Sequence, residues 1–249
     1  MKKTIVITDL TQMPKGNEVC VVGIDADGRC IRPVCEGGFL KQHLYDTERK
    51  VLVRHGAKVE FDLSPIDTLP PPHIEDMSFD PTSITGKGLC SDSEWEDTLL
   101  NSSYTVVGEI YNGLLEERKW VKPGANTRSI ATLSGASVVN VQLPEWDGKL
   151  RYRLSFKDRT GNLFDCPVSD LTFRELCYKR IKRDSHPRLP VARELSTLLK
   201  NADRVYLRLG LARPFRTSPT TEPRCYLQVT GIHTFPDYLQ GKTFADFLT

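Results

Sequence analysis

The sequence predicts a mostly β fold with short helices, of α+β class, arranged as two small β-barrels in tandem. Three observations carry that expectation. Short segments with alternating apolar and polar residues recur along the chain, Asp-Gly turns separate several of them, and the charge divides sharply between the two halves. At 249 residues the chain is long enough to bury a substantial core in one large domain or two small ones.

In the first half, residues 4–10 alternate as a strand. Segments 18–24 and 29–34 flank Asp25-Ala26-Asp27-Gly28, a hairpin signal, and Val19-Cys20-Val21-Val22 is apolar on both faces, so this strand lies deep. Gly37-Gly38 marks a turn before a short helical stretch at 39–45. Residues 58–63 alternate again. Pro65 and Pro70-Pro71-Pro72 predict a rigid extended connection, with an edge strand after it at 73–80. Ser91, followed by Asp92, Glu94 and Glu96, has the signature of a helix start, and the helix runs through Leu100. Residues 114–121 read as a second short helix or a turn. Residues 122–129 form a loop by composition, which divides the chain into an N-terminal barrel at 1–124 with a helical insert and a C-terminal barrel at 125–249.

The second half repeats the β theme. Residues 136–142 form a strand, Glu145-Trp146-Asp147-Gly148 a hairpin turn, and 149–157 the opposing strand. Thr160-Gly161-Asn162 turns the chain into 163–166. A helix capped by Ser169 or Asp170 runs through Leu171, Phe173, Leu176, Cys177 and Arg180. Pro190 suits the first position of a helix reaching Lys200, and strands at 204–211 and 224–232 follow.

Three of these C-terminal strands share a pattern with period 2. In the first, Tyr152, Leu154 and Phe156 point one way, and Arg151, Arg153, Ser155, Lys157 and Arg159 the other. In the second, Arg204, Tyr206 and Arg208 oppose Val205, Leu207, Leu209 and Leu211. In the third, Arg224, Tyr226, Gln228 and Thr230 oppose Cys225, Leu227 and Val229. Small five-stranded barrels of this kind are OB-like, and OB-folds bind single strands on such a face. Cations track the phosphates while rings accept stacked bases at about 1–3 kcal/mol each. The candidate nucleic-acid contacts are therefore Arg151, Arg153, Lys157 and Arg159 on the first strand, Arg204, Tyr206 and Arg208 on the second, and Arg224, Tyr226 and Gln228 on the third. A sheet with one solvated face would show the same alternation.

Charge points in the same direction. Residues 1–124 hold 14 Lys and Arg against 20 Asp and Glu, a balance of −6, whereas residues 125–249 hold 20 against 12, a balance of +8. Fourteen of those 20 cations are Arg, the side chain that forks onto phosphate and stacks on bases. Segregation of this kind marks a polyanion partner, or else a basic half packed beside an acidic one.

Other chemistry finds little support. His43, His55, His73, His186 and His233 are dispersed, with no metal-ligand spacing. Thr85-Gly86-Lys87-Gly88 lacks the upstream Gly and the following Ser or Thr of a phosphate loop, and no nucleophile elbow occurs. His233 and Asp237 form an imaginable acid–base pair, but a packing or hydrogen-bonding role for His233 at the strand exit is the stronger reading. The run Lys179-Arg180-Ile181-Lys182-Arg183 is either a phosphate-contacting helix end or a solvated C-terminus favoured by the helix dipole. Neither a catalytic residue, nor a metal, nor a cofactor is assigned. The seven cysteines are odd in number, scattered and without a Cys-x-x-Cys pair, which argues for reduced thiols in a cytoplasm. No apolar run approaches a membrane span or a signal peptide.

Three stretches carry a family resemblance: Ile5-Val6-Ile7-Thr8 with residues 19–34, residues 204–215, and residues 225–238. Together they resemble the prokaryotic dual OB-containing domain family along nearly the whole chain. The resemblance implies two OB-like barrels in tandem, a nucleic-acid ligand, and a place in bacterial defence or genome maintenance. It brings no catalytic residues with it. The expected function is non-enzymatic binding of single-stranded DNA or RNA by the second barrel, with the acidic first half as architecture or as a dock for a protein partner. The alternatives are an adaptor whose Arg face meets an acidic protein, and a nucleotide sensor or hydrolase.

Overall fold

The computed structural model describes residues 1–14 and 16–248. The first part of the chain forms β1 (Lys2–Gln12), β2 (Glu18–Ile24), β3 (Cys30–Val34), β4 (Phe39–Leu40), β5 (Ala57–Ser64), β6 (Asp76–Phe79) and β7 (Thr85–Leu89). No Gly or Pro interrupts residues 2–12, so β1 runs long enough to serve two partners. Its N-terminal part pairs with β5 and its C-terminal part with β2, and a bulge between Ile7 and Asp9 bends it from one to the other. β2 pairs with β3, β3 runs parallel to β6, and β6 pairs with β5. The order β1-β2-β3-β6-β5-β1 closes a five-stranded barrel, with β4 and β7 added beside β2 and β5. Residues 76–79 are thus an internal strand with partners on both sides. The edge strand expected at 73–80 is corrected accordingly.

A connecting region follows: α1 (Asp92–Asn101), β8 (Ser103–Tyr104), α2 (Val107–Ile110) and β9 (Trp120–Val121). Ser91 Oγ accepts from the Glu94 amide and Glu94 Oε2 accepts from the Ser91 amide, so the start of α1 is reciprocally capped. Residues 114–121 are a turn and a short strand rather than a helix.

The second barrel contains β10 (Ile130–Ser134), β11 (Ser137–Gln142), β12 (Glu145–Trp146), β13 (Lys149–Leu150), β14 (Arg153–Lys157), β15 (Leu163–Pro167), α3 (Leu171–Tyr178), α4 (Arg188–Lys200), β16 (Arg204–Leu211) and β17 (Cys225–Phe235). It repeats the first barrel strand for strand. β10 and β11, broken at Gly135 where φ is +68°, together take the place of β1: β10 pairs with β16, and β11 with β14. β14 pairs with β15 and β16 with β17, while a parallel bridge between Val168 and Val229 matches the parallel β3–β6 contact. The sheet is curled rather than fully laddered at that seam. Two OB-like barrels therefore stand in tandem, as the alternation predicts.

α3 and α4 lie between β15 and β16. Asp170 Oδ1 accepts from the Thr172 and Phe173 amides, which fixes where α3 begins. α4 starts at Arg188, placing Pro190 in its first turn, where a missing N–H does no harm. Each barrel has its own apolar interior: Ile5, Val21, Val59 and Phe61 in the first, Leu133, Leu154, Phe156, Leu207 and Val229 in the second. The barrels also exchange parts. Val107, Ile110, Tyr111 and Val121 of the connecting region pack into the second core, while Leu171 of α3 and Phe244 near the end of the chain pack into the first.

β10 is the strand that the sequence conceals. All five of its residues are buried, because its two sides face two different neighbours, so no alternation marks it. One side faces the second core. On the other, the Thr132 hydroxyl meets Arg208 in the seam between barrels. That seam is polar and close. The Arg208 guanidinium donates to Asp9 at 2.8 Å, to Thr132 at 2.8 Å and to Cys30 Sγ at 3.4 Å, and Thr230 donates to the other oxygen of Asp9. Arg32 bonds Asp76 at 2.9 Å and Ser129 at 2.8 Å, and Glu75 accepts from both the amide and the hydroxyl of Ser129. At Gly231 a Cβ would stand 2.9 Å from the Thr8 carbonyl oxygen, so only glycine lets β1 and β17 approach this closely. Among the described residues, no helix is long and apolar enough to cross a membrane.

Candidate nucleic-acid interface

β14 and β15 are paired, and the Val168–Val229 bridge at the end of β15 brings that pair beside β17. On β14, Leu154 and Phe156 are fully buried, so Arg153 and Lys157 point outward as expected. Ser155 shares their side but is covered, its hydroxyl lying between Gln142 and Asp165. Arg153 reaches across to β15 and holds the Asp165 carboxylate at 2.8 Å. Arg151, Lys157 and Arg159 are exposed, and no ion pair occupies them among the described residues. On β17, Cys225 and Leu227 are buried while Tyr226 and Gln228 are half-exposed.

Two hairpin loops add exposed aromatic rings. Between β11 and β14, the two-residue strands β12 and β13 pair through Trp146 and Lys149, and Asp147 and Gly148 both adopt positive φ in the turn between them. This is the right-handed-twist hairpin that Asp-Gly specifies. Glu145 ties its base to Lys182 at 3.1 Å and lies 3.8 Å from Arg188, and the Trp146 indole is 72% exposed. The sequence identified that turn but not its tryptophan as a contact. The signal was a large aromatic beside Asp-Gly, at a position where no core can reach it.

The loop between β16 and β17 is closed at its base by a pair of backbone bonds between Phe215 and Arg224. Phe215 is 47% exposed and sits 4.9 Å from Tyr226, centroid to centroid. Arg224 lies 3.9 Å over the Trp120 ring, a cation–π contact that covers the otherwise buried indole. Arg213 of the same loop is bound to Asp76 of the first barrel, so the loop is anchored across the seam. Arg216 is exposed, with one bond to the Thr221 carbonyl.

The remaining candidates fall elsewhere. Arg208, expected on an open face, is 0% exposed: burial works against its charge, but Asp9 and Cys30 hold its pKa above the usual value. Tyr206 is also buried, its hydroxyl donating to Glu96 of α1 at 3.0 Å, and burial with that carboxylate pushes it up to about 12. Arg204 pairs with the same Glu96. The first barrel and α1 thus cover the polar side of β16, which leaves Arg224, Tyr226 and Gln228 in the open. Alternation alone cannot distinguish a face kept for a ligand from a face kept for the neighbouring barrel. Lys179–Arg183 forms a π-helical turn whose Arg180 binds Glu194, and Lys182 is the residue that ties down Glu145. His233 does not pair with Asp237. Its Nε2 meets the Thr8 carbonyl at 2.9 Å, while Asp237 accepts from the Leu239 and Gly241 amides.

Among the described residues, no group of three or more His, Cys, Asp or Glu could hold a metal ion. What these elements offer is cations unpaired among the described residues, two exposed rings on braced hairpins, and an amide and a phenol on β17, a combination suited to a strand of phosphates and unpaired bases. A family model described as the dual OB-containing domain matches residues 3–232. No curated protein matches the chain.

Proposed function

The chain belongs to the dual OB-containing domain family, and on that premise we propose that its second barrel binds single-stranded nucleic acid across the outer face of β14, β15 and β17. The observation that carries the reading is the exposure of Trp146 and Phe215 on two braced hairpins, one leading into the cationic strand β14 and the other into β17. Arg151, Lys157 and Arg159 contact phosphates, Trp146, Phe215 and Tyr226 accept bases, and Gln228 supplies an amide between them. Arg153 and Arg224 serve the face less directly, since one is shared with Asp165 and the other covers Trp120. The first barrel is the scaffold: it covers β16 and anchors the β16–β17 loop through Asp76 and Arg213. The seven free thiols suit a reducing cytoplasm, where a role in defence or genome maintenance would be exercised.

Fluorescence anisotropy with labelled poly-dT and poly-U oligonucleotides tests this. Binding should weaken steeply as salt rises, with a logarithmic slope of about −0.7 per phosphate neutralised. No binding of either homopolymer at low salt overturns the proposal and favours an adaptor for an acidic protein.

A further inference from the structure

A second feature uses other residues. Where the two barrels, α1 and the C-terminal segment meet, they enclose a cavity of about 300 Å³, at the small end of the range for ligand sites. Its wall carries an aromatic cluster. The His233 ring lies 4.9 Å from Trp95 and 4.8 Å from His55, centroid to centroid, both edge to face. Gly56, at φ +74°, packs beneath the indole with its Cβ position 3.7 Å away.

The polar groups are unusual. Because a carbonyl can only accept, His233 Nε2 must donate to Thr8, which leaves Nδ1 of a neutral ring as an acceptor. Burial together with the neighbouring His55 keeps this imidazole neutral well below the ordinary histidine range. On the consecutive residues Arg54 and His55, two buried nitrogens, Arg54 Nε and His55 Nε2, lack hydrogen-bond partners among the described residues. Buried polar atoms of this kind ordinarily have partners. Arg54 is otherwise held by one bond from Nη2 to the Gly241 carbonyl, at 2.9 Å. Lys242 and Asp92 are exposed at the mouth and unpaired among the described residues.

We propose that this inter-barrel cavity binds a single nucleotide, with the base against Trp95 and His233 and the phosphate toward Arg54 and Lys242. A planar heteroaromatic ring suits an indole beside imidazole edges. A base N–H or amino group meets the lone acceptor on His233. The anionic end meets the two cations, and Asp92 is an acceptor for the sugar hydroxyls. The size admits a base with its sugar and leaves the phosphate at the opening. The occupant is either a free nucleoside monophosphate or the terminal nucleotide of a strand, since both present the same chemistry. The site shares no residue with the β14–β15–β17 face, so its fate is independent of that reading.

Thermal unfolding of the full chain with millimolar AMP, GMP, CMP or UMP, with inorganic phosphate as control, provides the test. At least one nucleotide should raise the Tm by several degrees while phosphate does not. Titration calorimetry should show its Kd rising at least tenfold in both Trp95→Leu and Arg54→Gln, whose unliganded Tm values report whether they fold. A 5′-phosphorylated dinucleotide binding more tightly than the monophosphate assigns the site to strand ends, whereas the reverse order assigns it to free nucleotide. If no nucleotide shifts the Tm, or if folded Trp95→Leu and Arg54→Gln bind like the parent, the proposal is wrong.

Discussion

Arg208 shows what one side chain can be asked to do. Its guanidinium is fully enclosed and compensated by Asp9, Thr132 and Cys30. Asp9→Ala would strand that cation in the seam, at a cost of about 3–5 kcal/mol, whereas Asp9→Leu combined with Arg208→Met should cost far less, because neither charge then needs hydration. Urea unfolding of the three proteins checks this, and a double variant as unstable as Asp9→Ala would contradict it. At the binding face, Trp146→Ala should weaken oligonucleotide affinity about tenfold, the value of one stacked base, with the Tm unchanged because the indole packs against no core. Equal titrations for Trp146→Ala and the parent would remove it from the interface.

At the scale of elements, the hairpin bearing Trp146 depends on backbone freedom at its turn. Gly148 sits at φ +68°, next to Asp147 at +49°. Gly148→Val introduces a β-branched side chain where φ is positive, a conformation costing on the order of 1–3 kcal/mol, and the hairpin is small enough to relax locally instead of unfolding the barrel. The expected result is reduced oligonucleotide affinity with little change in circular dichroism or Tm. A parallel loss of both would mean that the hairpin is integral to the barrel. Elements whose residues alternate, run apolar between turn signals or carry caps were legible in the sequence: β2, β5, β14, β16 and the capped helices α1 and α3 fall where those signals place them. β10 was not, because Ile130-Ala131-Thr132-Leu133-Ser134 is buried on both faces and carries no charge or large ring to mark its second side. β6 was read as an edge because its short apolar pattern does not tell that β3 and β5 flank it.

Across the whole molecule, the seam makes stability depend on pH in a defined window. His73 is buried against the Leu211 carbonyl, and burial with Arg213 and Arg32 nearby lowers its pKa to about 4. His233 is likewise held well below the ordinary histidine range by burial and by His55. In the unfolded chain both imidazoles take up protons near pH 6.5. Between pH 6.5 and about 4 the unfolded state therefore binds protons that the native state refuses, so stability is complete above 6.5 and falls through that interval. Glu94, held near 2 by Lys58 and the Ser91 amide, and the other lowered carboxylates act below it. The Tm should drop by several degrees between pH 7 and 4.5, and His73→Asn, once folded, should flatten part of the slope. A Tm that is flat across this range would show that the histidines are not buried in neutral form.

Charge segregation has the same two-sided character. The acidic first half and basic second half meet through Asp9 with Arg208, Asp76 with Arg213, and Glu96 with Arg204. Part of the asymmetry is thus spent inside the molecule, and part remains on Arg151, Lys157 and Arg159. By itself the sequence determined the local facts: where the alternating strands run, which residues cap the helices, where Asp-Gly turns the chain and which side of each alternating strand is apolar. Those follow from period, propensity and backbone sterics, which act over a few residues. What covers each polar side was decided only in three dimensions, because Arg208 and Lys157 carry the same local signal and differ solely in whether a distant segment, β1 in one case and solvent in the other, lies across from them.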